Sequence, residues 1–237
     1  LDSTSDIASV FVVNLANPAD YHILFTDAGD TASANGMMTV QIKLNAQRTA
    51  TTIYAGDIQG NLWKFDVSLA GAFPAGTQLF SATDPTGIKQ AITGGITLGE
   101  HPDGLGTMLY FGTGKYFENT DKSFSANSAP QVDSFYGVLD TGSDNHLKRS
   151  ELEQQVFANE GYAARSTSTN AVHYSSQWGW YIDLMVGATK LGEKVVTAPV
   201  LDDDRIIFSS IIPGGDQCGG RLGSGYLNVL DAFSGGQ

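Results

Sequence analysis

Apolar and polar residues alternate with period two through much of this chain, most clearly over residues 53–66: Ile-Tyr-Ala-Gly-Asp-Ile-Gln-Gly-Asn-Leu-Trp-Lys-Phe-Asp. The pattern predicts two strands joined by a tight turn from Asp57 to Asn61, with Gly60 and Asn61 suited to positive φ. In the second arm Trp63, Phe65 and Val67 share one face, while Leu62, Lys64 and Asp66 share the other, as in a strand and not a helix. Further strands are predicted at residues 10–13, 22–25 and 38–44. Hairpins are predicted around residues 108–117 and from 195–201 to 205–212, the latter across Asp202, Asp203 and Asp204. The run Ile206-Ile207-Phe208 is apolar on both faces, which predicts a strand covered from both sides. One helix is predicted, over residues 150–158: Ser150 caps it, Glu151 and Glu153 complement its positive end, and Leu152, Val156 and Phe157 form its apolar edge.

Four strands end in an apolar residue followed by Asp, at Asp66, Asp140, Asp183 and Asp231, with Gly71, Gly142 and Gly235 soon after three of them. The successive spacings are 74, 43 and 48 residues. The shorter two match the roughly 40 to 50 residues of a four-stranded propeller blade. Each Asp is expected to accept backbone N–H groups from the following turn. The expected fold is therefore all-β, a β-propeller or a section of one, built of antiparallel four-stranded blades with one short helical insertion. The whole of residues 1–237 reads as one propeller domain. The start at Leu1, without methionine or signal peptide, suggests a processed product or a C-terminal piece of a longer protein.

Composition changes this picture only by exclusion. With 25 acidic and 13 basic residues the net charge is -12, which argues against nucleic acid or anionic lipid as a partner. No run approaches the roughly 20 apolar residues that span a bilayer. The single cysteine, Cys218, lies in a glycine-rich run and has no internal disulfide partner, so its pairing stays open. His22, His101, His146 and His173 lack metal-ligand spacing and read as surface or turn residues. Glu100-His101-Pro102-Asp103 has the composition of an acid–base cluster, but its proline and turn propensity explain it. Trp178, Trp180 and Tyr181 would offer a carbohydrate-stacking surface if exposed; alternation instead places Trp178 and Trp180 on one face of a blade core. Gly112 and Gly114 read as a bend or a close backbone approach, since no helix opens behind them to make a phosphate loop.

Five segments together carry a family resemblance. They are Tyr54-Ala55-Gly56-Asp57 with Gly60-Asn61-Leu62-Trp63-Lys64-Phe65-Asp66, then residues 111–116 (Phe-Gly-Thr-Gly-Lys-Tyr), residues 134–137 (Ser-Phe-Tyr-Gly), residues 194–200 (Lys-Val-Val-Thr-Ala-Pro-Val), and Ile212-Pro213 before Cys218. In order and approximate spacing they resemble the C-terminal β-propeller of the PilC/PilY family of type IV pilus biogenesis factors and tip adhesins. The resemblance implies an exported module at the cell surface, pilus tip or outer membrane, passing through the periplasm. It would be noncatalytic and would support pilus assembly and attachment through contacts with minor pilins, the tip complex, and a host or abiotic surface. Residues 27–36 and 123–133 are the expected recognition loops.

Some members of the family bind calcium through a loop just before the Tyr-Ala-Gly-Asp segment. Here that position, residues 45–52, has no carboxylate and carries Arg48, so no calcium or other cofactor is expected there. Asp140, Asp144 and Glu151 fall at positions 1, 5 and 12 of a calcium-loop template with several mismatches, and a polar turn competes with that reading. No catalytic, cofactor-binding or metal-binding residue is assigned. The competing class is a periplasmic quinoprotein-like dehydrogenase, because Ala55, Asp57, Gly60 and Trp63 resemble the blade-docking motif of pyrroloquinoline-quinone enzymes. In that motif the tryptophan packs blades together, which is architecture and not chemistry.

Overall fold

A computed structural model describes residues 6–68, 73–121, 130–143, 146–160, 164–214 and 223–237. Strands β1 (Ser9–Val13) and β2 (Tyr21–Phe25) form a hairpin. Strands β3 (Met37–Leu44), β4 (Ala50–Asp57), β5 (Asn61–Asp66) and β6 (Thr77–Ser81) follow as an antiparallel meander, the first full blade. The second blade is β7 (Thr97–Glu100), β8 (Thr107–Gly112) and β9 (Ser134–Asp140), completed only after an insertion. The insertion carries β10 (Leu147–Lys148), β11 (Glu153–Glu160) and β12 (Arg165–Thr167), and β13 (Gly179–Val186) then pairs antiparallel with β9. A third sheet-like blade consists of β14 (Val200–Asp202), β15 (Arg205–Ser209) and β16 (Leu227–Asp231).

Two-sided burial explains the near-continuous apolar runs. Along β8, Leu109 and Phe111 pack against Tyr54, Leu62 and Phe80 of the first blade, while Met108 and Tyr110 pack with Ile206 and Phe208 of the third. In β9, Tyr136 and Val138 face the first blade, and Phe135 and Leu139 the third. A further core lies between the first hairpin and the first blade, where Val10 and Leu24 cover Ile53, Ala55, Trp63 and Phe65. Face-to-face packing of successive twisted sheets is the propeller arrangement.

The hairpin at residues 53–66 forms as its pattern predicts. Gly60 has φ +79°, but Asn61 is the first residue of β5 and does not take positive φ. The predicted helix at residues 150–158 does not form. A single 3-10 turn at Arg149–Glu151 is followed by strand β11, which runs parallel to β13 and antiparallel to β12. Buried Leu152, Gln155 and Phe157 and exposed Gln154, Val156 and Ala158 show tertiary pairing overriding local propensity. No hairpin forms at residues 108–117 either: β8 pairs with β7 and β9, and the backbone leaves the sheet after Gly112. Gly112 is nevertheless a close approach, since a Cβ there would lie 2.3 Å from that of Val195. The hairpin across Asp202 to Asp204 forms over a shorter span, with Asp203 at φ +53°. Ile206 and Phe208 are buried, but Ile207 shares its face with the exposed Val200 and Val229, so β15 is covered on one side among the described residues.

The Asp repeat has a different period from the one its spacings suggest. Asp66, Asp140 and Asp231 close the third strands of three successive blades, whereas Asp183 sits inside the fourth strand of the second. As expected, Asp66 accepts the Ser68 N–H, Asp140 the Gly142 N–H, and Asp231 the N–H groups of Phe233 and Ser234. Asp183 instead accepts from side chains, Ser134 Oγ at 2.7 Å and the Arg149 guanidinium.

Candidate interaction surface

The turn between β4 and β5 is built around one buried carboxylate. Asp57 Oδ1 accepts the Asn61 backbone N–H at 2.8 Å. Its Oδ2 accepts from Asn61 Nδ2 and Trp63 Nε1, both at 2.8 Å, and from Asn35 Nδ2 at 2.7 Å. The last bond fastens the loop of residues 27–36 to the blade. Gln59 Nε2 adds bonds to the Ser33 carbonyl and hydroxyl at 3.0 and 3.1 Å, and Asp30 caps its own turn by accepting from Ala32 and Ser33. Asp27 and Asp30 remain exposed on this fixed loop. The sequence placed a recognition loop here but missed Asn35, whose role depends on a bond across 22 positions.

The second expected loop, residues 123–133, is described only from residue 130. Residues 122–129 lie outside the described residues, and at its end Val132 and Asp133 are buried. Thr113 Oγ1 donates to Asp133 at 3.1 Å, and burial pushes this carboxyl up to about 7 against the opposing effects of Lys194 and Thr113.

Asp140 joins blades. Its carboxylate accepts from Tyr54 Oη at 2.7 Å and pairs with Lys64 Nζ at 3.0 Å, both on the first blade, while Gly142 occupies Oδ1. Glu151 accepts the Lys148 N–H at 2.8 Å, and Asp144 lies outside the described residues, as does Cys218. The carboxylates of Asp140 and Glu151 are thus each engaged by internal donors. At residues 45–52, Asn45 Oδ1 accepts the Gln47 and Thr49 N–H groups, and Arg48 takes φ +61° in the β3–β4 turn. Among the described residues, no three His, Cys, Asp or Glu side chains are grouped to hold a metal.

The other sequence candidates are structural parts. Trp178 belongs to the core between the first two blades and Trp180 to the core facing the third, so they do not share a face. Gly179, at φ +126°, breaks the alternation between them. Tyr181 is 8% exposed beneath the Arg149 guanidinium, which sits 3.9 Å from its ring centre, leaving no open stacking platform. Glu100 pairs with Lys43 at 2.9 Å. His101 is buried, not superficial: it packs edge-on against Tyr174, its Nδ1 accepts the Asp103 N–H, and burial holds the imidazole below its ordinary range against the pull of Asp103. Trp63 is buried between hairpin and blade, the inter-blade role its motif implies.

Stacked antiparallel blades sharing buried aromatic faces, with clamped loops at their ends, define a β-propeller. The chain belongs to the PilY1 beta-propeller domain family, whose model matches residues 1–170. It is 31% identical to a type IV pilus biogenesis factor PilY1 homolog of Xylella fastidiosa, over 99% of this chain and 17% of that protein. It is also 31% identical to type IV pilus biogenesis factor PilY1 of Pseudomonas aeruginosa strain PAO1, over 99% of this chain and 24% of the relative. The crystal structure of the Pseudomonas aeruginosa PilY1 C-terminal domain superposes with a TM-score of 0.83 at 29% identity, covering 100% of this chain and 54% of that one. The chain therefore spans less than a quarter of these curated relatives' length.

Proposed function

We propose that this propeller is a noncatalytic module of a type IV pilus tip-associated factor, exported to the cell surface, which supports pilus assembly and attachment through protein–protein contacts. The observation that carries the reading is the clamped loop of residues 27–36, held by Asn35 and Gln59 so that Asp27 and Asp30 are presented on a fixed backbone. Preorganised loops on a rigid scaffold lose little entropy on binding. The carboxylates that sequence reasoning singled out, Asp57, Asp140, Asp183 and Asp231, are occupied by internal donors, which supports a scaffold role for them. The names of the relatives support the pilus context, and minor pilins are the partners proposed. Deleting the gene should abolish surface pili and twitching, and the wild-type copy should restore both; normal pili and motility in the deletion strain would overturn the reading.

A further inference from the structure

We infer a binding site for a compact anion carrying several carboxylate or phosphate oxygens, in a cavity of about 540 Å³ at the outer edge of the first blade. The volume lies in the range of small-molecule sites. Its position follows from the chain crossing between blades: β10 leaves the second blade and pairs in parallel with β6, Leu147 opposite Phe80 and Lys148 opposite Ser81. Leu147 is buried in the core between the blades, and Glu151 accepts the Lys148 N–H, so the backbone carrying His146 and Lys148 is fixed at the cavity wall. Lys89 reaches the same cavity from the loop after β6.

Charge makes the convergence informative. In a chain of net charge -12, Lys43, Lys64, Lys115, Arg149, Arg165 and Arg205 are each ion-paired with a carboxylate. Arg48, Lys89, Lys148, Lys190 and Lys194 form no ion pair among the described residues, and of these Lys89 and Lys148 line one cavity together with His146, its sole acidic lining residue being Asp27. Beside them stands an ordered amide: Gln78 Nε2 donates to the buried Asn61 Oδ1 at 2.8 Å, and Asn61 in turn donates to Asp57. A primary amide has a second N–H and a carbonyl oxygen beyond that bond. Two ammonium groups, an imidazole and an oriented amide suit anionic oxygens spaced over a few ångströms. The lining contains no Trp, Tyr or Phe ring for sugar stacking, which favours the charged ligand over a neutral glycan.

The test is calorimetric titration of the full chain with citrate and, separately, with inorganic phosphate, at fixed ionic strength. Saturable binding of either anion that weakens at least tenfold in the Lys89→Gln, Lys148→Gln double variant, and is unchanged in Lys190→Gln, is the expected result. Citrate alone would identify a carboxylate ligand, and phosphate alone a phosphate-bearing one. No saturable binding of either, or equal binding by the double variant with an unaltered circular dichroism spectrum, overturns the site. The outcome is independent of the pilus reading, since the titration has no cellular readout.

Discussion

Gly137 lies directly across the β9–β13 ladder from Trp180, where a side chain at position 137 would fall 2.6 Å from the indole nitrogen. Gly235 also abuts the ring, where an added Cβ would meet Trp180 Cε3 at 2.2 Å, and Nε1 donates to the Ala232 carbonyl at 2.8 Å. Gly137→Ala should therefore destabilise the fold by about 2–3 kcal/mol, as overpacking of a rigid core does. In Trp180→Phe the ring is smaller, so the double variant should lose less than the sum of the two single losses. Denaturant unfolding of the four proteins measures that coupling; strict additivity would show the contact to be unimportant.

Asp57 is the next point of leverage. Asp57→Ala leaves the donors of Asn35, Asn61 and Trp63 without their acceptor inside the protein. Each such buried group costs about 1–3 kcal/mol, so a loss of roughly 3–5 kcal/mol is expected. Asn35→Ala should cost less globally but free the loop, seen as faster amide exchange at residues 30–36 with little change around Phe65.

Arg165 is held by a fork and a sandwich. Its guanidinium donates to both Glu193 oxygens, at 2.8 and 2.6 Å, and lies 3.6 Å and 4.0 Å from the ring centres of Phe157 and Tyr226. With Arg165 3% and Glu193 2% exposed at their side chains, Arg165→Met strands a buried carboxylate and should cost about 3–5 kcal/mol. The double variant with Glu193→Leu should recover most of that loss. Arg165→Lys should behave like a disruption, because an ammonium reproduces neither the fork nor the stacking. Thermal unfolding of the three variants distinguishes these outcomes.

Burial gives Asp133 a pH signature. Its folded carboxyl is pushed up to about 7, above an ordinary value of 3.8. Between those values the folded state holds a proton that the unfolded chain has released, so stability from this group is full below about pH 4 and lost as pH rises to about 7. The change is on the order of 4 kcal/mol. Asp133→Asn should flatten the stability profile over that interval, as denaturant midpoints at several pH values would show; a profile that keeps its slope would place the titration elsewhere.

Legibility in the sequence followed the range of the interactions. The hairpin at 53–66 was readable because its turn chemistry and its two-faced burial are written in adjacent residues. Strand β11 was not, since what makes it a strand is pairing with β12 and β13 and the seating of Gln155, whose amide donates to the carbonyls of Asn170 and Ser234. Those partners stand 15 and 79 positions away. The insertion between the third and fourth strands of the second blade also disguised the repeat, making Asp183 look like a blade end. Gly179 carried a legible warning that Trp178 and Trp180 diverge, because glycine entering a strand commonly marks a break in alternation. The anion cavity left no local trace: Lys89 and Lys148 meet only because a crossover segment joins another blade's edge.

That crossover has a mechanical consequence. Because β10 belongs to the second blade by sequence and to the first by pairing, tension drawing the two blades apart acts on its backbone hydrogen bonds together with Leu147 in the shared core. The two blades are thereby laced into one unit under load, because the same segment runs on into β11, which is itself paired with β13 of the second blade.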